Sequence, residues 1–421
     1  MQGVTNKNLI PENLRRMGIY EYAGHYYTNK FRALKAAGTD HVNYDFNNEQ
    51  FSRVDWTVEP DEDLYALYAE RAWQIRSQYE KVIIYYSGGI DSTVVLRSFV
   101  DNNIPIDAVV INGIFDTSTN YKDTNIAEQT RVALPYLEEL QREKNIKLPI
   151  YWYDTLEAHK LAFNDPDWQW KTVSQLCPAT IANHQFHSDP YIQTLMSKGN
   201  TIAVKGIDKP RVLYENGKWY WGFLDVSIGG CVQREEEEFL GNYILEEFFY
   251  WAPEADALLR KQAHMVIKEL EKRFTREECA KKFSKSGDFS KAVYGALVEP
   301  VVFGKYLQQD IGQDRPYFYI PGGFASVMNP KQWWFFSARD VLSTENELFV
   351  RGLLDIKNTI DPMHFNKPGP DSTKKEFWLN NCPLDERLII DLDKRNPLFG
   401  TVGSWSPLYY VKDYDDNNNL T

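Results

Sequence analysis

Between an apolar run and the next helix-like stretch the chain reads Ser87-Gly88-Gly89-Ile90-Asp91-Ser92. A strand that ends in Ser-Gly-Gly and opens directly into a helix aims several backbone N–H groups at one point, which makes an anion site. Gly88 and Gly89 let the chain turn sharply, with positive φ, where a Cβ would block a phosphate oxygen. Ser87 and Ser92 add hydroxyl donors. Asp91 runs against this pattern, because a carboxylate repels a polyphosphate unless a cation lies between them. A hard divalent ion held by one carboxylate and by phosphate oxygens is how magnesium enters such sites, so Asp91 points to Mg2+ and a nucleotide. For this residue alone a plainer reading stays open, an early-helix acid favoured by the dipole at about 0.3–1 kcal/mol.

The elements around the loop must hold it at the edge of a sheet. "DEDLYALYAERAWQIRSQYE", 61 to 80, has apolar residues at helical spacing and leads into the strand "KVIIYY", 81 to 86. After the glycines come a helix ("STVVLRSFVDNN"), a strand ("IDAVVIN", 106 to 112), a helix kinked at Pro135 ("NIAEQTRVALPYLEELQREK") and a strand ("LPIYWYD"). "NTIAVKG", 200 to 206, adds a strand, and "KWYWGFLDVS" is a candidate for another. This alternation predicts an α/β fold with a doubly wound parallel sheet, and the nearly continuous apolar runs predict strands covered on both faces. We expect an N-terminal extension over 1–60, the sheet domain over 61–274, and a mixed α+β region over 275–421 that shapes an acceptor-substrate pocket.

In such a sheet the loops at the carboxyl ends of the strands meet at one crevice. After the second strand stand Asn112 and Gly113; after "NTIAVKG" stand Lys205, Asp208, Lys209 and Arg211. In an acidic chain three cations at one spot would offset charge on a leaving phosphate, Lys205 and Lys209 first, while Arg211 could hold a substrate carboxylate in a bidentate pair. Ordinary turns remain the alternative for both loops. Cys177, His184 and His187 lack a fourth ligand and a zinc spacing, and Trp333, Trp334, Phe335 and Phe336 read as packing, with a pocket for a flat substrate as the alternative.

The 421 residues carry a formal net charge of −12, which disfavours a nucleic-acid backbone as partner, and no apolar run approaches the length of a membrane span. Four scattered cysteines argue against a disulfide framework, and the start of the chain lacks a secretory segment, so a cytoplasmic protein acting on a small molecule is expected. The oligomeric state, a homo-oligomer included, stays open.

The six residues from Ser87 to Ser92 match the SGGxDS loop of the ATP pyrophosphatase (PP-loop, N-type) superfamily at every defined position. Five fixed positions arise by chance in a chain this long about once in a thousand sequences. Neither G-x-x-x-x-G-K-[ST] nor G-x-G-x-x-G occurs. The resemblance covers about residues 61 to 250. It implies a Rossmann-like α/β/α sandwich that binds ATP and Mg2+, with Ser87, Gly88, Gly89, Asp91 and Ser92 at the phosphates and Asn112 and Gly113 near adenine. It also implies that the β- and γ-phosphates leave as pyrophosphate when a substrate oxygen attacks the α-phosphate, after which a nitrogen or sulfur nucleophile displaces AMP.

Absences narrow this choice. Residue 2 is Gln2 and no cysteine lies near it, so the glutaminase of asparagine synthetases is not expected, and ammonia would be free, come from a partner, or be replaced by another amine. The cysteine clusters of thiolating relatives and the Glu-Cys-Gly-Leu-His of sulfonucleotide reductases are also lacking; Cys382 sits in "NNCPLDE". The expectation is an AMP-forming ligase or amidotransferase-like enzyme. Sulfur transfer is the enzymatic alternative, and a non-catalytic nucleotide-binding module is the alternative from another class.

Overall fold

Residues 3–113, 129–155, 158, 164–170, 186–206, 211–225, 245–284, 301–302, 347–364 and 403–416 are described by the structure, a computed structural model. The aromatic N-terminal segments form β1 (Ile19–Tyr22), β2 (His25–Tyr27) and β3 (Asn43–Asp45), an antiparallel sheet of order β2-β1-β3 carrying helix α1 (Lys30–Ala37). Helix α2 (Leu64–Gln78) starts where Asp63 accepts from the Tyr65 and Ala66 N–H groups at 2.8 and 3.0 Å, and it leads into β4 (Lys81–Tyr85). Then follow α3 (Ile90–Val100), β5 (Ala108–Gly113), α4 (Leu134–Lys144), β6 (Ile150–Asp154), α5 (Pro190–Met196) and β7 (Thr201–Lys205). Last come β8 (Arg211–Glu215), β9 (Lys218–Gly222), β10 (Leu245–Phe248), α6 (Asp256–Arg273) and β11 (Tyr409–Asp413).

Five of these strands form a sheet of order β10-β7-β4-β5-β6, every neighbour parallel. Along β4, β5 and β7 successive side chains enter different cores. Val82, Ile84, Val109, Ile111, Ile202 and Val204 pack on one face with Val94 and Phe99 of α3 and Leu137 of α4. Ile83, Ala108, Val110 and Ala203 pack on the other with Ile192 and Leu195 of α5. The sheet is therefore wound on both faces, as the unbroken apolar runs require. No helix among the described residues is long and apolar enough to cross a membrane.

Three elements differ from the sequence reading. "KWYWGFLDVS" supplies β9, but β9 joins an antiparallel sheet of order β11-β9-β8 and not the parallel one. Asn216 and Gly217 both take positive φ, 51° and 81°, which folds β8 back on β9 through a two-residue hairpin. The edge strand β10 was not foreseen. The kink expected at Pro135 is a π-helical turn, Gln129–Ala133, ahead of α4, with Pro135 in the first α-turn. A wider turn there absorbs the clash a proline ring makes with the carbonyl four residues back.

A buried ion pair ties helix α1, beside the N-terminal sheet, to the segment that follows β9. Lys30 Nζ lies 2.6 Å from Asp225 Oδ2, and their side chains are 1% and 0% exposed. Asp225 also accepts from the Tyr20 hydroxyl at 3.0 Å and from the Ser404 N–H at 2.7 Å. Removing a partner from such a pair leaves a charge in low dielectric. Asp225→Ala is therefore expected to cost about 3–5 kcal/mol of unfolding free energy, read from the denaturant midpoint; a loss within experimental error would show that the pair contributes nothing.

Candidate functional site

The strand order places a crevice independently of any motif. From β4 the chain runs outward to β5 and β6, then returns to β7 on the other side of β4, so neighbouring strands β4 and β7 send their connections in opposite directions. Ligands of open α/β sheets bind outside the carboxyl ends of the strands at this switch point. The residues there are the loop from Ser87 to Ser92 after β4 and Gly206 after β7.

Gly88 takes φ 82°, which a side chain disfavours, and a Cβ on it would lie 3.1 Å from the N, Cα and Cβ of Ala133. Gly89 does not share the positive φ expected for it. It is the N-cap of α3 in extended geometry, φ −72° and ψ 158°, and no side chain caps the helix. Asn29, Asp63 and Asp189 do cap α1, α2 and α5. The first-turn N–H groups of α3, which have no acceptor within the helix, thus face the loop with the positive end of the helix dipole.

The two serines close the loop on itself. Ser92 Oγ donates to Gly89 O at 2.9 Å and accepts from the Ser87 N–H at 3.3 Å, and the two hydroxyls lie 3.2 Å apart. Thr93 Oγ1 also donates to Gly89 O, at 3.0 Å. Asp91 stands in the first turn of α3, where its carbonyl accepts from the Tyr250 hydroxyl at 2.8 Å. Gly206 packs against the same carbonyl, and a Cβ there would sit 2.8 Å from the oxygen.

Lys205 ends β7 in register with Tyr85, its ammonium 5.3 Å from that ring centre and 2.7 Å from Glu246 Oε1. Both partners are almost fully buried, so the charge of Lys205 is offset by a carboxylate. Asn112 and Gly113 end β5, paired with Tyr153 and Asp154 of β6. The Asn112 carbonyl accepts from Gln129 Nε2 at 2.8 Å, so the π-turn touches the end of β5 with Gln129 and the back of the glycine loop with Ala133. Arg211 begins β8 opposite Gly222, in the antiparallel sheet. Asp208, Lys209, Cys177, His184 and the aromatic run at 333–336 lie outside the described residues, as does the His187 side chain.

Sequence reasoning missed Tyr250, Gly206, Gln129 and Ala133. Gly206 was legible as the glycine after an apolar strand; Tyr250 was hidden because β10 was not seen.

A Mg2+ ion fits what is present, on the chemistry of the donors. Asp91 offers one hard oxygen ligand beside backbone donors suited to phosphate, and among the described residues no cluster of three or more His, Cys, Asp or Glu could hold a metal unaided. Such an ion would complete its shell with phosphate oxygens and water.

The parallel sheet, its switch point and the helices on both faces make this a Rossmann-like fold of the nucleotide-binding type. No family model matches the chain, and no curated protein or solved structure matches it.

Proposed function

We propose that the chain is an ATP-dependent enzyme that forms AMP and pyrophosphate, adenylating a carbonyl or carboxylate oxygen of a small molecule for displacement by a nitrogen nucleophile. The observation that carries this reading is the Ser-Gly-Gly-Ile-Asp-Ser loop at the switch point, with a helix N-terminus that no side chain caps and an aspartate in its first turn.

In this reading the N–H groups of Gly88 and the first turn of α3 hold the β- and γ-phosphates, while Ser87, whose Oγ accepts from the Gly89 N–H at 3.2 Å, and Ser92 keep the loop in shape. Asn112 and Gly113 flank adenine with backbone. Mg2+ at Asp91 would supply neutralisation of charge on the outer phosphate oxygens. The substrate oxygen bonds to the α-phosphorus as the bridging oxygen leaves with pyrophosphate, and Lys205 and Lys209 oppose the charge that grows there. Asp208 and Arg211 bind the acceptor. The amine, from solution or from an ammonia-donating partner, then forms the new bond as AMP departs.

Nitrogen is preferred to sulfur here because the cysteine clusters and the Glu-Cys-Gly-Leu-His of the sulfur enzymes are lacking, and Cys279 is a poor candidate for a sulfur carrier. Burial, then Glu271 and Glu278, push its thiol up to about 12, so it keeps its proton at neutral pH and is a poor nucleophile. Cys177, Cys231 and Cys382 lie outside the described residues.

The test is ATP–pyrophosphate exchange across a panel of candidate acids and carbonyl compounds. A true acceptor is expected to return label from pyrophosphate into ATP and to yield AMP. Formation of ADP with every active acceptor would contradict the proposal.

A further inference from the structure

We infer that Tyr250 is a positioning residue that sets where Asp91 presents its carboxylate, an inference that rests on the nucleotide reading of the loop. The first turn of a helix is its most labile part, and α3 has no side-chain cap to steady it. Main chain at Asp91 is instead fixed from outside the helix. The Tyr250 hydroxyl donates to the Asp91 carbonyl at 2.8 Å, and Gly206 lies against the same group so closely that a methyl would not fit.

Tyr250 is itself held. It is fully buried and meets Tyr68 and Phe249 edge-on, with ring centres 6.1 and 5.2 Å away. The Phe249 N–H donates to the Lys205 carbonyl at 3.0 Å, which carries the pairing of β10 with β7 up to this point. Behind it the buried Arg71 of α2 donates to the Phe249 carbonyl through Nε and to the Phe248 carbonyl through a terminal nitrogen, each at 2.9 Å, and pairs with Glu247. Arg16 reaches the same carboxylate at 3.0 Å. A chain of buried donors thus runs from α2 through the end of β10 to the residue assigned to the metal.

Packing alone would be served by phenylalanine, so the hydroxyl is the part to test. Rigid support matters here because a metal ligand has to stand within tenths of an ångström of its place before phosphate arrives. Tyr250→Phe keeps the ring and removes the bond to Asp91.

The experiment is calorimetric titration of pyrophosphate into the full chain, with and without Mg2+. In the parent protein Mg2+ is expected to tighten binding. In Tyr250→Phe that tightening is expected to shrink about tenfold, the scale of one hydrogen bond, and affinity without Mg2+, which draws on N–H groups of the same turn, is expected to fall by less. A merely structural tyrosine would lower both affinities by the same factor or neither, and either result overturns the inference. Full tightening in the variant removes Tyr250 and leaves Asp91 standing. Absence of a Mg2+ effect in the parent protein removes the metal role of Asp91, and the inference with it.

Discussion

Asp91→Asn is expected to keep the fold and to lower Mg2+-dependent release of AMP from ATP by about 10²- to 10³-fold, the size of loss seen when one preorganised electrostatic group is removed. The carboxamide has the shape of the carboxylate, and the main chain it hangs from is held by Tyr250 and Gly206, so the change is confined to charge. An amide oxygen binds Mg2+ weakly and offsets none of its charge, and the amide can turn a donor toward phosphate. Nucleotide binding without metal should therefore survive, or even improve as the repulsion between carboxylate and phosphate disappears. Unaltered Mg2+-dependent turnover would take the metal away from Asp91.

Gly206→Val is the second large effect, and it acts through space and not charge. The first carbon of the new side chain would lie 2.8 Å from the Asp91 oxygen, 2.9 Å from its carbonyl carbon and 2.9 Å from Val95 Cγ2. Strand β7 cannot retreat, because it is paired on both sides by β4 and β10. The first turn of α3 has to move, and the N–H groups proposed to hold phosphate move with it. Loss of measurable ATP binding is expected, with a stability loss of about 1–3 kcal/mol for an overpacked site. Gly89→Ala is the gentler comparison, since its methyl meets the Ser87 hydroxyl at 3.2 Å and a hydroxyl can rotate away. Equal ATP affinity in Gly206→Val and the parent chain would mean that the switch point does not hold the nucleotide.

The parallel sheet was legible because its inner strands are buried on both faces and so read as unbroken apolar runs. Strand β10 escaped for the opposite reason: at the sheet edge, its acids Glu246 and Glu247 break the run, and each is neutralised by a cation distant in sequence, Lys205 and Arg71. The partner choice of β9 could have been read from Asn216-Gly217, a pair suited to the tight hairpin that pulls it away from the parallel sheet. At the loop the sequence reported residue types and the order strand, glycines, helix. It could not report that Gly88 alone needs positive φ, that the serines bond to each other, or that Tyr250 reaches the Asp91 carbonyl across 159 residues of chain. The last is a contact between distant segments, of which local pattern carries no trace, and the first two depend on how the loop closes in three dimensions.

The most direct test of the account is a crystal structure of the full chain with ATP and Mg2+. The account predicts the β- and γ-phosphate oxygens within hydrogen-bonding distance of the N–H groups of Gly88 and the first turn of α3, and the ion between them and Asp91. Triphosphate bound elsewhere, with the stretch from Ser87 to Ser92 making no contact to it, would contradict the account.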